Sequence, residues 1–173
     1  MKPFDNQRLS CRGGFTLIEL VVVLLMLVVG GVGIYFYNQQ QTMARQCARN
    51  LHRLYMAAEM YEMERGVLPR LAFFPEDPKQ DANSLAVVLG PYGALPEVCV
   101  CPAAPVDIRA MGLTYVWNVR VNGRPLHGLS GPEWLVTEIN AISRDYPAAH
   151  LGRYNILYTD GQVRRLVNPP SGL

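Results

Sequence analysis

The side chain placed most unusually for chemistry is Glu19, a carboxylate inside the apolar run from Phe15 to Tyr37. A carboxylate at the centre of a bilayer costs about 2.5–3.5 kcal/mol on insertion scales, and less near the interface. The alternative to a paired carboxylate is one that reaches the interface with no partner. The small residues Gly13 and Gly14 stand just ahead of the run. A protease cutting there would remove only the polar leader and leave the apolar run as an anchor.

Four cysteines form the second reactive set, and Cys11 would leave with the leader. The remaining three, Cys47, Cys99 and Cys101, would face an oxidising periplasm in which disulfides persist. Since three is odd, one thiol is left over or pairs between chains. We predict a Cys47–Cys101 bridge, with Cys47–Cys99 as a close alternative, because a Cys99–Cys101 bridge would close a very small ring. We expect no metal, since three cysteines lack a fourth zinc ligand at suitable spacing.

His150 is followed by nine residues and then by Asp160-Gly161. Aspartate is expected in a type I′ hairpin turn for backbone reasons alone. We expect these residues to be structural, through a hydrogen bond that pins the hairpin to the loop before it. A metal or calcium site is the alternative, although the chain has no oxygen-rich ligand run there. No serine or cysteine nucleophile is placed convincingly with His150, so we predict no catalytic residue and no enzyme.

The elements that position these residues begin with the apolar run, which is long enough to cross a bilayer as a helix. A buried helix of a soluble protein is the alternative, but a core helix is rarely apolar on every face. Lys2, Arg8 and Arg12 precede the run against one aspartate, Asp5. The positive-inside rule therefore predicts a single-pass inner-membrane protein with a cytoplasmic N-terminus and a periplasmic head. Residues 38–173 are close to neutral, so no nucleic acid is indicated.

The helix is expected to continue to residue 65, because Gly66 and Pro69 then end it. Beyond the membrane its apolar side chains recur at spacings of three and four. The opposite face carries mostly arginines. The recurring apolar side chains form a stripe along one face of the helix, which the rest of the chain must cover. The stripe comprises Met43, Cys47, Leu51, Leu54, Ala58 and Tyr61.

The remaining hundred residues are predicted to form loops and an antiparallel sheet. A short helix is expected over 84–89, and period-two alternation from Tyr115 to Val121 predicts a strand before the turn signal Asn122-Gly123. The segment EWLVTEI is a third strand. The segment YNILYTDGQVRRLV is a hairpin with Asp160-Gly161 as a two-residue type I′ turn. The fold class is α+β, with the helix stripe covering one face of the sheet.

These patterns divide the chain into five parts. Residues 1–14 are a cleaved cytoplasmic leader, and 15–37 are the transmembrane half of the long helix. Residues 38–65 are its amphipathic half, 66–114 a loop-rich region with a short helix, and 115–173 the sheet head.

The segment RGGFTLIEL, Arg12 to Leu20, resembles the processing site of type IV prepilins and type II secretion pseudopilins. The resemblance implies cleavage between Gly14 and Phe15 by prepilin peptidase, which also N-methylates Phe15. Glu19 becomes the fifth mature residue. It can pair with the Phe15 amine of its own or a neighbouring subunit, which in the family is proposed to set the register of a growing filament. The resemblance also implies a pilin-like fold.

The C-terminal part resembles the H-X9-DG group of pilin-like proteins, found mainly in planctomycete and verrucomicrobial bacteria. His150, Asp160 and Gly161 match that element, in HLGRYNILYTDGQV. The segment CARNLHRLYMAAEMY, the pair Cys101-Pro102 and the Tyr115-x-x-Asn118 spacing match it as well. Gln162 departs from the group, which more often has histidine there. Major pseudopilins carry a calcium in a C-terminal loop, so calcium stays an alternative to no cofactor.

Two classes of function follow from these observations. The first is a structural subunit that assembles into a type II secretion pseudopilus or a type IV pilus-like filament. Its partners would be prepilin peptidase, other pilin-like subunits, the inner-membrane secretion or pilus machinery, and membrane lipid. The alternative is a single-pass membrane-anchored binding or enzymatic domain that does not polymerise. The intact cleavage site and Glu19 favour the first class, because a plain anchor needs neither.

Overall fold

The computed structural model describes residues 16–128, 131–142 and 147–171, apart from the His127 side chain. The chain divides into two compact units, Met1–Tyr37 and Asn38–Leu173. Helix α1 (Leu17–Arg65) begins in the first unit, and its later residues belong to the second. The predicted fold class, one long N-terminal helix and a small antiparallel sheet, is confirmed.

In the first unit, the described residues are one exposed stretch of α1. The helix is long and apolar enough to cross a membrane, and none of the residues in its most apolar window is buried. Isoleucine, valine and leucine side chains dominate it on every face. An apolar surface of this kind needs lipid or other apolar helices around it.

The second unit places a four-stranded sheet beside the rest of α1. The strands are all antiparallel, in the order β1-β2-β3-β4, so each pairs with the next along the chain. Two short helices precede the sheet. The elements are α2 (Leu85–Leu89), α3 (Val106–Ala110), β1 (Tyr115–Trp117), β2 (Trp134–Glu138), β3 (Tyr154–Tyr158) and β4 (Val163–Leu166).

The short helix predicted over 84–89 is confirmed as α2. Ser84 is its N-cap, because the Ser84 hydroxyl accepts a hydrogen bond from the amide of Ala86 at 3.3 Å. The predicted stripe on α1 is buried at its four central positions, Cys47, Leu51, Leu54 and Ala58. Its two ends, Met43 and Tyr61, are only half-buried.

The inner face of the sheet is set by the strand register. Tyr115 lies opposite Glu138, and Trp117 lies opposite Val136. On the same face, Asn155 of β3 donates from Nδ2 to the carbonyl oxygen of Ala44 on α1 at 3.2 Å. The core of the second unit therefore lies between this face and the stripe on α1.

The predicted strand from Tyr115 to Val121 is wrong beyond Trp117. The chain instead turns into a single 3₁₀ turn over Val119–Val121. Asn118 causes this change, because its Oδ1 accepts from the amide of Arg120 at 3.1 Å and its Nδ2 donates to the carbonyl of Trp134 at 2.7 Å. The Arg120 amide is thus used within the turn, while the Asn118 amide still donates to the Leu135 carbonyl at 3.0 Å.

The hairpin of β3 and β4 is present, but its predicted two-residue type I′ turn is wrong. Among the described residues other than glycine, only Leu151 has a positive φ, so Asp160 does not. The amide of Gly161 donates to the carbonyl of Tyr158, and Gly161 has a φ of 77°. This is a three-residue loop with glycine in the left-handed position. A Cβ on Gly161 would also lie 3.0 Å from the Tyr55 ring, so glycine permits the hairpin tip to pack on α1.

Candidate functional site

The first candidate site is the start of α1, where Thr16 and Glu19 bond to each other. Glu19 Oε2 accepts from the Thr16 amide and from the Thr16 hydroxyl, both at 2.8 Å. The Glu19 amide donates back to Thr16 Oγ1 at 3.3 Å. This reciprocal arrangement is a capping box, which the sequence Thr-Leu-Ile-Glu encodes and our sequence analysis missed.

The capping box gives Glu19 a partner within its own chain. It satisfies amides at the helix start that have no carbonyl partner inside the helix. Gly14 and Phe15, the predicted cleavage and methylation residues, lie outside the described residues, as do Cys11 and Gly13. Pairing of Glu19 with the Phe15 amine therefore stays a prediction.

The second candidate site is a buried group of four side chains in the second unit, called here the four-residue cluster. It consists of Cys47, Cys101, Glu138 and His150, and one potential metal-ligating atom from each lies within 4.8 Å of the others. None of the four residues is more than 1 % exposed. They come from four segments: α1, the loop before α3, the end of β2 and the turn before β3.

The contacts of the four-residue cluster meet at two atoms. Glu138 Oε1 accepts from the Cys47 thiol at 2.9 Å and lies 2.7 Å from His150 Nε2. The same Nε2 lies 3.4 Å from the sulfur of Cys101. Glu138 Oε2 and His150 Nδ1 are buried and have no hydrogen-bond partner among the described residues. The side chains thus point inward at one another rather than outward to water.

Two further residues surround the four-residue cluster. The Tyr115 hydroxyl lies 3.3 Å from the Cys47 sulfur, and Tyr115 is fully buried. The Arg165 guanidinium donates from Nη2 to the His150 carbonyl at 2.7 Å and from Nη1 to Gln41 at 3.2 Å. This contact ties β4 to the loop before the hairpin through the His150 backbone, whereas Asp160 bonds to Gln162 and Arg164.

Burial and mutual contact shift the acidities of these groups in opposite directions. Burial raises the pKa of Cys47 well above its usual value. The hydrogen bond with Cys47, and then that with His150, lowers the pKa of Cys101 to about 6. Burial lowers the pKa of His150, but contacts with Cys101 and Glu138 outweigh it and raise that pKa to about 9. The contacts favour a thiolate at Cys101 and a protonated imidazole at His150.

The four-residue cluster does not have the geometry of a cysteine nucleophile with a histidine base. In that arrangement one ring nitrogen faces the nucleophile and the other faces the orienting acid. Here Cys101 and Glu138 both contact Nε2, and Nδ1 has no partner in the part of the chain that the structure describes. Exposure of at most 1 % at the four residues also denies a substrate access to the sulfur. The convergence suits ligation or cross-linking rather than acyl transfer.

The structure separates the sequence-predicted residues into two groups. Cys47, Cys101 and His150 come together, whereas Cys99 donates to the carbonyl of Ala94 at 3.6 Å. In the described part of the chain Cys47, Cys99 and Cys101 are not joined by a disulfide, and their pairing stays a prediction. Asp160 lies on the hairpin loop and bonds to the Gln162 amide and to Arg164.

Glu138 is the member of the four-residue cluster that the sequence analysis missed. Its signal lies in EWLVTEI, where alternation puts Val136 and Glu138 on the same face of a strand. A carboxylate on the buried face of a strand needs a partner. Its distance from Cys47 along the chain, 91 residues, hides that partner from the sequence.

Comparison with known proteins bears on the N-terminal site. Residues 9–35 match the family model described as Prokaryotic N-terminal methylation motif. The matched segment includes Gly14, Phe15 and Glu19, and it supports a type IV pilin-like protein of the structural kind. No curated protein and no solved structure matches the chain.

Proposed function

We propose that the chain is a pilin-like structural subunit that prepilin peptidase cleaves between Gly14 and Phe15 and N-methylates at Phe15. The observation that carries the proposal is the methylation-motif match over residues 9–35. In the sequence, Gly14 and Phe15 directly precede the apolar run, and Glu19 lies in the first turn of α1. A soluble protein or a plain membrane anchor does not need this combination of residues.

The subunit is then assembled into a type II secretion pseudopilus or a type IV pilus-like filament. The exposed apolar stretch of α1 supports this step, because it needs lipid before assembly and neighbouring helices afterwards. The new amine of Phe15 would offset the Glu19 carboxylate at similar depth. The partners are prepilin peptidase, other pilin-like subunits and the inner-membrane assembly machinery. The N-terminus is cytoplasmic and the second unit periplasmic.

Dependence on the peptidase tests this proposal. The full chain is expressed in cells with and without an active prepilin peptidase, and its mass is measured after extraction from the membrane. We expect a chain shortened to residues 15–173 only where the peptidase is active. Gly14→Leu should stay uncut, whereas Gly13→Ala, one residue further from the cut, should be processed. An uncut wild-type chain beside a processed control prepilin in the same cells would refute the proposal.

A further inference from the structure

We propose that Cys47, Cys101, Glu138 and His150 bind one zinc ion as a structural site inside the second unit. The inference is independent of the proposed function, because all four residues lie within the second unit and none belongs to the methylation motif. It also replaces the expectation of no metal, which assumed that the ligands had to be close in sequence.

The donor set fits zinc in kind and in number. Zinc in proteins is bound by cysteine sulfur, histidine nitrogen and carboxylate oxygen, and structural sites are four-coordinate with every position filled by protein. The four-residue cluster offers two sulfurs, one nitrogen and one carboxylate, all within 4.8 Å of one another. Soft thiolates together with an imidazole favour zinc over calcium or magnesium, which prefer oxygen ligands.

The distances also suit a tetrahedral site. Zinc–sulfur bonds of about 2.3 Å and zinc–nitrogen or zinc–oxygen bonds of about 2.0–2.2 Å put tetrahedral ligand atoms about 3.3–3.8 Å apart. The contacts within the four-residue cluster are between 2.7 and 3.4 Å. The donors in contact therefore need to separate by a fraction of an ångström to about 1 Å, and the more distant donors, which lie within 4.8 Å, need to approach by up to about 1 Å. Because they come from four segments, one ion would fasten α1, the pre-α3 loop, β2 and the β3 turn together.

The charges argue for a cation at this position. A buried carboxylate is costly unless it is paired, and one oxygen of Glu138 has no partner within residues 16–128, 131–142 and 147–171. Zinc bound to two thiolates and one carboxylate leaves a net charge of minus one. The Arg165 guanidinium, bonded to the His150 carbonyl at 2.7 Å, lies beside the site to offset it. The Tyr115 hydroxyl at 3.3 Å can donate to the Cys47 thiolate, as outer-shell groups do at metal sites.

A Cys47–Cys101 disulfide would explain fewer of the side chains in the four-residue cluster. It would use the two sulfurs but would remove the thiol hydrogen that Cys47 donates to Glu138 at 2.9 Å. The carboxylate would then depend on His150 alone, in a site closed to water. The metal gives a reason for all four donors, whereas the disulfide gives a reason for two. The two states exclude each other, so one experiment can separate them.

The test uses the full chain in detergent, extracted from its own membranes under an alkylating agent that traps free thiols. Metal content is measured by mass spectrometry, and cysteine pairing by peptide mapping. We expect about one zinc per chain and no Cys47–Cys101-linked peptide. A linked peptide as the main species overturns the proposal, and so do free thiols without zinc.

Variants locate the site within the chain. Loss of an outer-shell partner weakens metal affinity by about 10- to 100-fold. Cys101→Ser and His150→Gln each remove a zinc ligand, so each should weaken zinc affinity by more than about 100-fold. Tyr115→Phe, which removes only the outer hydroxyl, should weaken it by about 10-fold. Cys99→Ser is the matched control, because Cys99 is a buried thiol outside the four-residue cluster. Equal zinc affinity in all four variants would contradict the assignment.

Cobalt substitution keeps the test decisive even if a variant fails to fold. Cobalt(II) added to the reduced, metal-free wild-type chain should give thiolate-to-metal charge transfer and the strong visible bands of a tetrahedral site. Zinc should then displace it with loss of colour. A wild-type chain that binds no cobalt, or shows only octahedral absorption, overturns the proposal without any variant.

Discussion

Glu138 and His150 meet inside the second unit, with Glu138 Oε1 2.7 Å from His150 Nε2 and neither side chain more than 1 % exposed. The pair joins the end of β2 to the turn before β3, which lie 12 residues apart. Buried polar side chains need hydrogen-bond partners within the protein. Removing one member of this pair therefore leaves the other buried without that partner.

Glu138→Ala should therefore be strongly destabilising. We expect the free energy of unfolding to fall by about 3–5 kcal/mol, the cost of leaving a buried partner uncompensated. Glu133→Ala is the matched control, since Glu133 pairs with Arg124 at 3.0 Å where both side chains are at least 34 % exposed. That pair should contribute only about 0–1 kcal/mol. Denaturant unfolding of the full chain in detergent measures both, and equal losses would contradict this account of Glu138.

Metal removal should lower stability as well, if the four-residue cluster holds zinc. Ligand binding to the folded state alone adds about 2.7 kcal/mol at a free concentration 100 times the dissociation constant. A strong chelator should therefore lower the Tm of the wild type and of Cys99→Ser. It should leave the Tm of His150→Gln nearly unchanged. If the chelator left the Tm of the wild type and of both variants unchanged, that result would contradict the metal site.

The hairpin loop offers a test of the packing between β3–β4 and α1. Gly161→Ala should destabilise by at least about 1–2 kcal/mol, because φ is 77° and a Cβ would meet the Tyr55 ring at 3.0 Å. Gly90→Ala is the matched control, since Gly90 has a φ of −52° and a Cβ added there would meet nothing within 4 Å. Thermal unfolding of the two variants should differ clearly, and similar values would refute the contact with Tyr55.

Variants of Thr16 and Glu19 can separate the two roles of the Glu19 carboxylate, which are capping the helix and pairing with the Phe15 amine. Glu19→Gln removes the charge that would pair with the Phe15 amine, so filament assembly should be lost while cleavage continues. Thr16→Ala breaks the capping box, at a cost of about 0.5–2 kcal/mol, but leaves the charge in place. We expect Thr16→Ala to assemble, as measured by sedimentation of sheared filaments. Equal loss of assembly in both variants would mean that Glu19 acts through the helix cap.

The local elements of this fold could be predicted because each depends on neighbours in sequence. The stripe from Cys47 to Ala58 and the short helix α2 are of this kind, and so is the β3–β4 hairpin. The strand predicted through Val121 failed after Asn118, whose side chain accepts from the Arg120 amide and starts a 3₁₀ turn. The alternation of apolar residues in the sequence does not reveal this hydrogen bond of the Asn118 side chain.

The four-residue cluster could not be predicted as a whole. Cys47 and Glu138 are 91 residues apart, and Cys101 and His150 are 49 apart, so only the packing of α1 on the sheet brings them together. Sequence reasoning singled out both cysteines and the histidine by type. It missed Glu138, because a carboxylate in a strand is ordinarily solvent-facing and the buried face is known only once the register is fixed.

The measurement that tests the central claim most directly is the N-terminal mass spectrum of the protein taken from its native membranes. Processing as a pilin-like subunit predicts a chain that begins at N-methylated Phe15 and lacks residues 1–14. A chain that still begins at Met1 in mature cells would contradict the account, and the apolar helix would then be a plain membrane anchor.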